Sequence, residues 1–209
     1  MKLSTNFLKD YIDIDVDVKQ LAEDMTRVGN EYDSASNLIN ATKLVIGQIT
    51  ECEPHPDSDH LHLCKVNIGT EVLDIVCGAP NARTGLKVIV ALDGAVLPEK
   101  TIKKGMIRGQ ESNGMLCSIA ELGLEHKFLK PEDSEGIAEL GEDAEIGGDP
   151  IKYLQMDDGV IDFELTANRG DLLSILGMAY EVGAIYDKKV KDVDLKHKES
   201  GEDINKTFK

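Results

Sequence analysis

Aromatic side chains are scarce in this 209-residue chain, which has no Trp, five Tyr and four Phe. Modules that grip single-stranded nucleic acid without sequence preference rely on several stacked rings. Phe128 is the only aromatic between residues 41 and 150, so that mode of binding is disfavoured. The four cysteines, Cys52, Cys64, Cys77 and Cys117, include no C-x-x-C pair. Neither a zinc ribbon nor a thioredoxin-like motif can be read from them, and a reduced thiol set is expected. No long hydrophobic run exists: Val88-Ile89-Val90-Ala91-Leu92 is far too short to span a bilayer. With no targeting segment at the amino terminus, a soluble cytoplasmic protein without a membrane partner is expected. Positive charge is in deficit as well. Lys+Arg 23 against Asp+Glu 39 gives a net charge of -16, the opposite of a generic nucleic-acid footprint.

Motifs of the common catalytic classes are missing too. There is no P-loop, G-x-S-x-G, H-E-x-x-H or dinucleotide fingerprint. No catalytic residue is assigned.

What is present is unevenly distributed. Residues 131–150 carry eight acidic and no basic side chains, whereas 41–130 hold 10 basic and 11 acidic ones. Half of the net charge thus falls in one stretch that reads as a loop or connector, and the middle region is near neutral. Residues 1–40 read as a short strand and two helices. Phe7, Leu8, Tyr11 and Ile12 follow the caps Ser4 and Thr5; Leu21, Met25 and Val28 follow Asp17 and stop at Gly29. From Leu44 to Ser118 the pattern changes to five β-branched runs divided by turn signals, at 43–49, 61–68, 72–77, 86–92 and 102–117. That spacing suggests a small five-stranded barrel such as an OB-fold, with a short sandwich as its competitor. A strand over 160–165 and a helix capped by Asp171 follow. Neither terminal piece buries enough by itself. The expectation is an α+β domain from 1–39 plus 150–193, an all-β OB-fold barrel inserted at 40–149, and a linker over 194–209.

Three motifs carry chemistry. In His55-Pro56-Asp57-Ser58-Asp59-His60-Leu61, His55 and Asp59 either contact a polyanion or cap a tight turn. His60, His62 and Cys64 alternate, so a straight strand places them on one face as a metal half-site or as ordinary wall residues; no further ligand is specified, and no metal is expected. The run Ile102-Lys103-Lys104-Gly105-Met106-Ile107-Arg108-Gly109-Gln110-Glu111-Ser112-Asn113-Gly114-Met115-Leu116-Cys117-Ser118 is the most informative. Together with Lys100 it gathers the cations Lys103, Lys104 and Arg108 beside the hydrogen bonders Ser112 and Asn113. This suits a nucleic-acid backbone and its 2′-hydroxyls, or a solvated basic strand edge.

The segments His55 to Leu61, Val76-Cys77-Gly78-Ala79-Pro80-Asn81 and Ile107 to Ser118 together resemble the tRNA-binding OB domain shared by several aminoacyl-tRNA synthetases and free-standing tRNA-binding proteins. Residues 1–8 and Leu165-Thr166-Ala167-Asn168-Arg169-Gly170-Asp171-Leu172-Leu173-Ser174 narrow the resemblance. Residues 1–190 are similar to the amino-terminal part of the β-subunit family of bacterial phenylalanyl-tRNA synthetases. The pattern departs at His60, where the family often has a basic residue, and at Ala167 and Gly170, where proline is common. The resemblance implies a tRNA(Phe)-contacting module of a heterotetramer of two α and two β subunits that uses ATP and magnesium. The aminoacylation and editing sites would lie elsewhere, leaving this chain without cofactor or DNA. Lys100, Lys103, Lys104, Arg108, Ser112, Asn113, Met115, His55 and Asp59 are the expected tRNA-contacting residues. The competing functions are a subunit-assembly module with incidental RNA contact and a free-standing tRNA-binding protein.

Overall fold

The computed structural model describes residues 1–124 and 136–209, apart from 193, 195, 199, 200, 202 and 207–209. Phe128 and the first five residues of the acidic stretch lie outside the described residues. The chain divides into two compact units, residues 1–36 with 160–209, and residues 37–159. The second division thus falls later than the expected residue 150. Among the described residues, no helix is long and apolar enough to cross a membrane.

The first unit begins with β1 (Lys2–Ser4), α1 (Thr5–Lys9), α2 (Val18–Arg27) and β2 (Tyr32–Asn37). The Ser4 hydroxyl accepts from Phe7 N at 3.0 Å, and the Asp17 carboxylate accepts from Lys19 N at 2.9 Å. Each satisfies an amide that the helix start leaves unpaired. Gly29, at φ +97°, ends α2.

The return segment supplies β11 (Gly159–Phe163) and a long helix, Ile175–Tyr186. Strand order is β1-β11-β2, with Leu3 opposite Ile161 in an antiparallel pair. Leu3, Leu8, Leu21, Met25, Ile161 and Met178 are fully buried, each contributing about 1.5–3 kcal/mol of hydrophobic stabilisation. The expected cap, Asp171, lies instead in a short 3-10 turn, Gly170–Leu173. The helix starts later because Ser174 accepts from Gly177 N at 3.0 Å. A Cβ at Gly177 would stand 1.9 Å from the Asp171 carbonyl, so only glycine allows this approach. Past the helix, Lys191 N donates to Tyr11 O at 2.7 Å, so the chain stays docked up to that residue.

The second unit is built on β3 (Leu44–Pro54), β4 (His62–Asn67), β5 (Val72–Cys77) and β6 (Lys87–Leu92). Shorter strands are β7 (Gly105–Ile107), β8 (Gln110–Ser112), β9 (Gly114–Cys117) and β10 (Glu139–Leu140). The main sheet is antiparallel and runs β10-β6-β3-β4-β5, with β9 also on β6. After Lys87, strand β6 is apolar because both faces are covered: Val88 and Val90 join one cluster, Ile89 and Ala91 another.

The sheet curls into a half-barrel but is not closed as a five-stranded barrel. Between β5 and the β8–β9 segment there is no ladder. Asn113 N donates to Asp74 O at 2.8 Å, and Val76 N donates to the Ser112 hydroxyl at 3.1 Å. A side chain stands where a ladder carbonyl would be.

The acidic stretch departs from the expected connector as well. Glu139–Leu140 pairs with β6, and Arg83 grips the Glu139 carboxylate through two contacts of 2.8 Å. Lys87 Nζ donates to the carbonyls of Glu142 and Ala144. Helix α3 (Pro150–Tyr153), capped by Asp149, belongs to the same unit; the helix Ile175–Tyr186 is therefore α4.

Candidate functional site

The basic run folds into the β7–β8 hairpin, with Gly105 opposite Ser112, Met106 opposite Glu111 and Ile107 opposite Gln110. Its two connecting residues, Arg108 and Gly109, have φ of +46° and +80°. Positive φ at both positions is the turn whose twist matches a hairpin, and it favours Asn-Gly or Gly-Gly. Arginine in a left-handed position costs about 1–2 kcal/mol. The tip is tied down by its own side chain, since Arg108 Nη1 donates to the Asp57 carbonyl at 3.2 Å. The base is tied by Lys104 N, which donates to Asp93 Oδ1 at 2.9 Å. Strand β7 leaves apolar surface open: Met106 is 67% exposed and Ile107 42%.

These ties bring the three motifs together. Asp57 belongs to the His-Pro-Asp turn, and Val76, which donates to Ser112, belongs to the Val-Cys-Gly motif. Lys103, Lys104 and Arg108 are all exposed on or beside the hairpin. Among the described residues, none of the three side chains forms an ion pair, so their charge is available to an anion.

The remaining expected residues fall elsewhere. Ser112 is 4% exposed, and its hydroxyl also donates to Gly114 O at 3.1 Å. His55 is 3% exposed; its Nδ1 accepts from Asp57 N at 3.0 Å, and its Nε2 is buried without a partner among the described residues. An accepting Nδ1 places the ring proton of the neutral imidazole on Nε2. Both residues shape backbone from inside rather than offering a surface contact. Asp59 is exposed in the same turn. Asn113 is half-buried, next to the seam between β5 and β8.

Lys100 and Met115 line a cleft of about 800 Å³ with Val76, Cys77, Leu97 and Glu121. There, Lys100 Nζ is paired with Glu121 at 2.7 Å, which holds its charge within the protein. The second Glu121 oxygen accepts from Ser118 N at 2.9 Å. Glu121, Asp93 and the Asp57 carbonyl are partners that no sequence pattern announced, because each acts across a distance set by the fold.

His62 Nδ1 is buried without a partner among the described residues. Among the described residues, no group of three His, Cys, Asp or Glu side chains is placed to hold a metal ion. Burial pushes the Cys117 thiol up to about 12 and raises Cys77 as well.

Comparison with known proteins gives a consistent set of relatives. A family model described as "Putative tRNA binding domain" matches residues 44–149. The phenylalanine–tRNA ligase beta subunit of Lactiplantibacillus plantarum is 47% identical over 90% of this chain and 24% of its own length. The corresponding subunit of Geobacillus kaustophilus is 44% identical over 98% of this chain and 26% of its own. The Bacillus subtilis subunit is 47% identical over 91% of this chain and 24% of its own. The chain therefore spans about a quarter of the length of the relatives it matches.

Proposed function

Since the chain belongs to the tRNA-binding domain family and is homologous to the amino-terminal part of phenylalanine–tRNA ligase beta subunits, we propose that it contacts tRNA through the β7–β8 hairpin in such a ligase. Lys103, Lys104 and Arg108 meet phosphates, and Asn113 and Asp59 lie beside the path as polar contacts to backbone or sugar. His55 and Ser112 act from beneath, the first by shaping the turn that holds Arg108, the second by fixing the hairpin to β5. Lys100 and Met115 border the adjoining cleft. The observation that carries this reading is the set of three exposed cations, without an ion-pair partner among the described residues, on or beside a hairpin tied at tip and base, in a chain whose net charge is -16.

In this reading the half-barrel is an OB-fold whose open seam is bridged by single hydrogen bonds at Ser112 and Asn113, inserted into the α+β unit. The larger assembly would be a cytoplasmic heterotetramer of α and β subunits that joins phenylalanine to tRNA(Phe) with ATP and magnesium.

Three phosphate contacts give a salt dependence of affinity with a log-log slope of roughly -2 to -3. Titration of tRNA with the 209-residue chain by fluorescence anisotropy at several salt concentrations measures it. Lys103→Ala with Lys104→Ala should weaken binding about tenfold at low salt and make the slope shallower by roughly 1–2. Unchanged affinity and slope in that variant would overturn the assignment.

A further inference from the structure

Strand β3 breaks its own alternation. Ile49 faces inward and is fully buried, so a regular strand would turn Glu51 inward and Cys52 outward. Instead, the pairing with β4 shifts between Ile49 and Glu51, leaving Thr50 as the extra residue of a bulge. The Thr50 hydroxyl donates to Lys65 O at 3.1 Å across that bulge. Beyond it the phase is reversed. Glu51 lies outside, paired with Lys65 at 2.7 Å, and Cys52 turns inward directly opposite Cys64. Their sulfur atoms stand 3.7 Å apart. Cys64 is 2% exposed, whereas Cys52 is half-buried.

We propose that Cys52 and Cys64 form a reversible dithiol–disulfide site, oxidised by small-molecule disulfides. Directly opposed residues of an antiparallel pair have Cα atoms ~4.5 or ~5.5 Å apart, and both spacings lie in the range that disulfides bridge. Reaching the ~2.05 Å of an S–S bond needs side-chain rotation, not a shift of register. Exposure decides the order of events. The Cys52 thiolate attacks the disulfide of the oxidant, forming a mixed disulfide and releasing one thiolate, which takes up a proton. Cys64 then loses its proton to solvent and attacks the Cys52 sulfur, displacing the second thiolate. Two protein thiols are oxidised and one disulfide is reduced to two thiols. Burial, then the neighbouring Cys52, push the Cys64 thiol up, which makes it the slower, resolving partner rather than the point of entry.

The bond would join the strands two residues before the turn whose Asp57 carbonyl holds Arg108. A cross-strand bond of this kind is labile and returns to thiols in a reducing environment. The site stands independently of the tRNA reading, because it rests on register and sulfur geometry alone.

Oxidised glutathione, applied to the folded 209-residue chain, is the probe. The expected result is loss of two of the four thiols, a mass about 2 Da lower, and a peptide cross-link mapping to Cys52 and Cys64 that dithiothreitol reverses. Cys77→Ser should behave in the same way. Cys64→Ser should stop at a stable adduct about 300 Da heavier, carried on Cys52. A persistent glutathione adduct on the wild-type chain, a cross-link to Cys77 or Cys117, or four free thiols throughout would each overturn the proposal.

Discussion

The two units solve closure differently. The first is assembled from chain segments far apart in sequence, 1–36 and 160–209, and much of its specificity lies in charged side chains. Arg169 donates to Asn30 Oδ1 at 3.0 Å and to Glu181 Oε2 at 2.9 Å, while Asn30 Nδ2 donates to Glu181 Oε1 at 3.0 Å. Tyr186 donates to Asp24 at 2.7 Å. The second unit is one continuous segment held mainly by strand ladders and apolar faces, with single side chains such as Ser112 acting at its seams. A ladder fixes register by repetition, whereas two separated segments need particular partners to recognise each other. The first unit should therefore respond to acid and to single charge changes, and the second to loss of packing or of a seam hydrogen bond.

The strongest way to break that contrast is Leu3→Ala. Leu3 is fully buried and pairs across the two segments with Ile161, so the variant should cost about 2–5 kcal/mol. In hydrogen-exchange mass spectrometry, amides of β1, β11 and α4 should lose protection while those of β3–β6 keep theirs. Equal loss in both sets would mean that the units unfold together.

A smaller effect is expected from Ser112→Ala. It leaves the Val76 amide without its partner, at a cost of about 1–3 kcal/mol. Urea unfolding measures the cost, and exchange should localise it to β5 and the β7–β8 hairpin.

The smallest effect is a pH dependence of the first unit. Arg169 holds both Asp171 and Glu181 below their ordinary values of 3.8 and 4.5. A carboxylate with a lowered folded-state value contributes stability that is complete above its unfolded value and is lost as pH falls through the folded one. Urea midpoints for this unit should accordingly fall between about pH 4.5 and pH 2, and Arg169→Gln should flatten that decline. An equally steep decline in the variant would assign the acid sensitivity to other carboxylates.

Much of this was legible in the sequence. Ser4, Asp17 and Gly29 mark helix ends by local chemistry, and the β-branched runs around Val45, Val66, Ile75 and Val90 mark strands by period and type. Strand β2, Tyr-Asp-Ser-Ala-Ser-Asn, lies at the edge of its sheet and is nearly all polar, so it carries no hydrophobic signal. The acidic stretch misled by its average. Ile137, Ala138 and Ala144 are buried, and these apolar side chains, with the Arg83 and Lys87 contacts, dock a segment whose composition reads as solvated. At the candidate site, the cation cluster was legible because charge is a property of residues. The burial of Ser112 and His55 was not, because it depends on β8 approaching β5 and on a turn folding over its own imidazole. The bulge at Thr50 left no trace either, since its only signature is a phase change that ordinary residues accommodate.

Arg108 sets two demands on one position. A chain selected only for ease of folding would place glycine or asparagine at the hairpin tip, relieving the torsional cost and leaving the strands as they are. It would also lose the one cation that reaches back to the neighbouring turn. An arginine kept in a left-handed slot thus trades local comfort for reach, and the torsion angle of a single residue separates a hairpin that merely connects strands from one shaped to present a side chain.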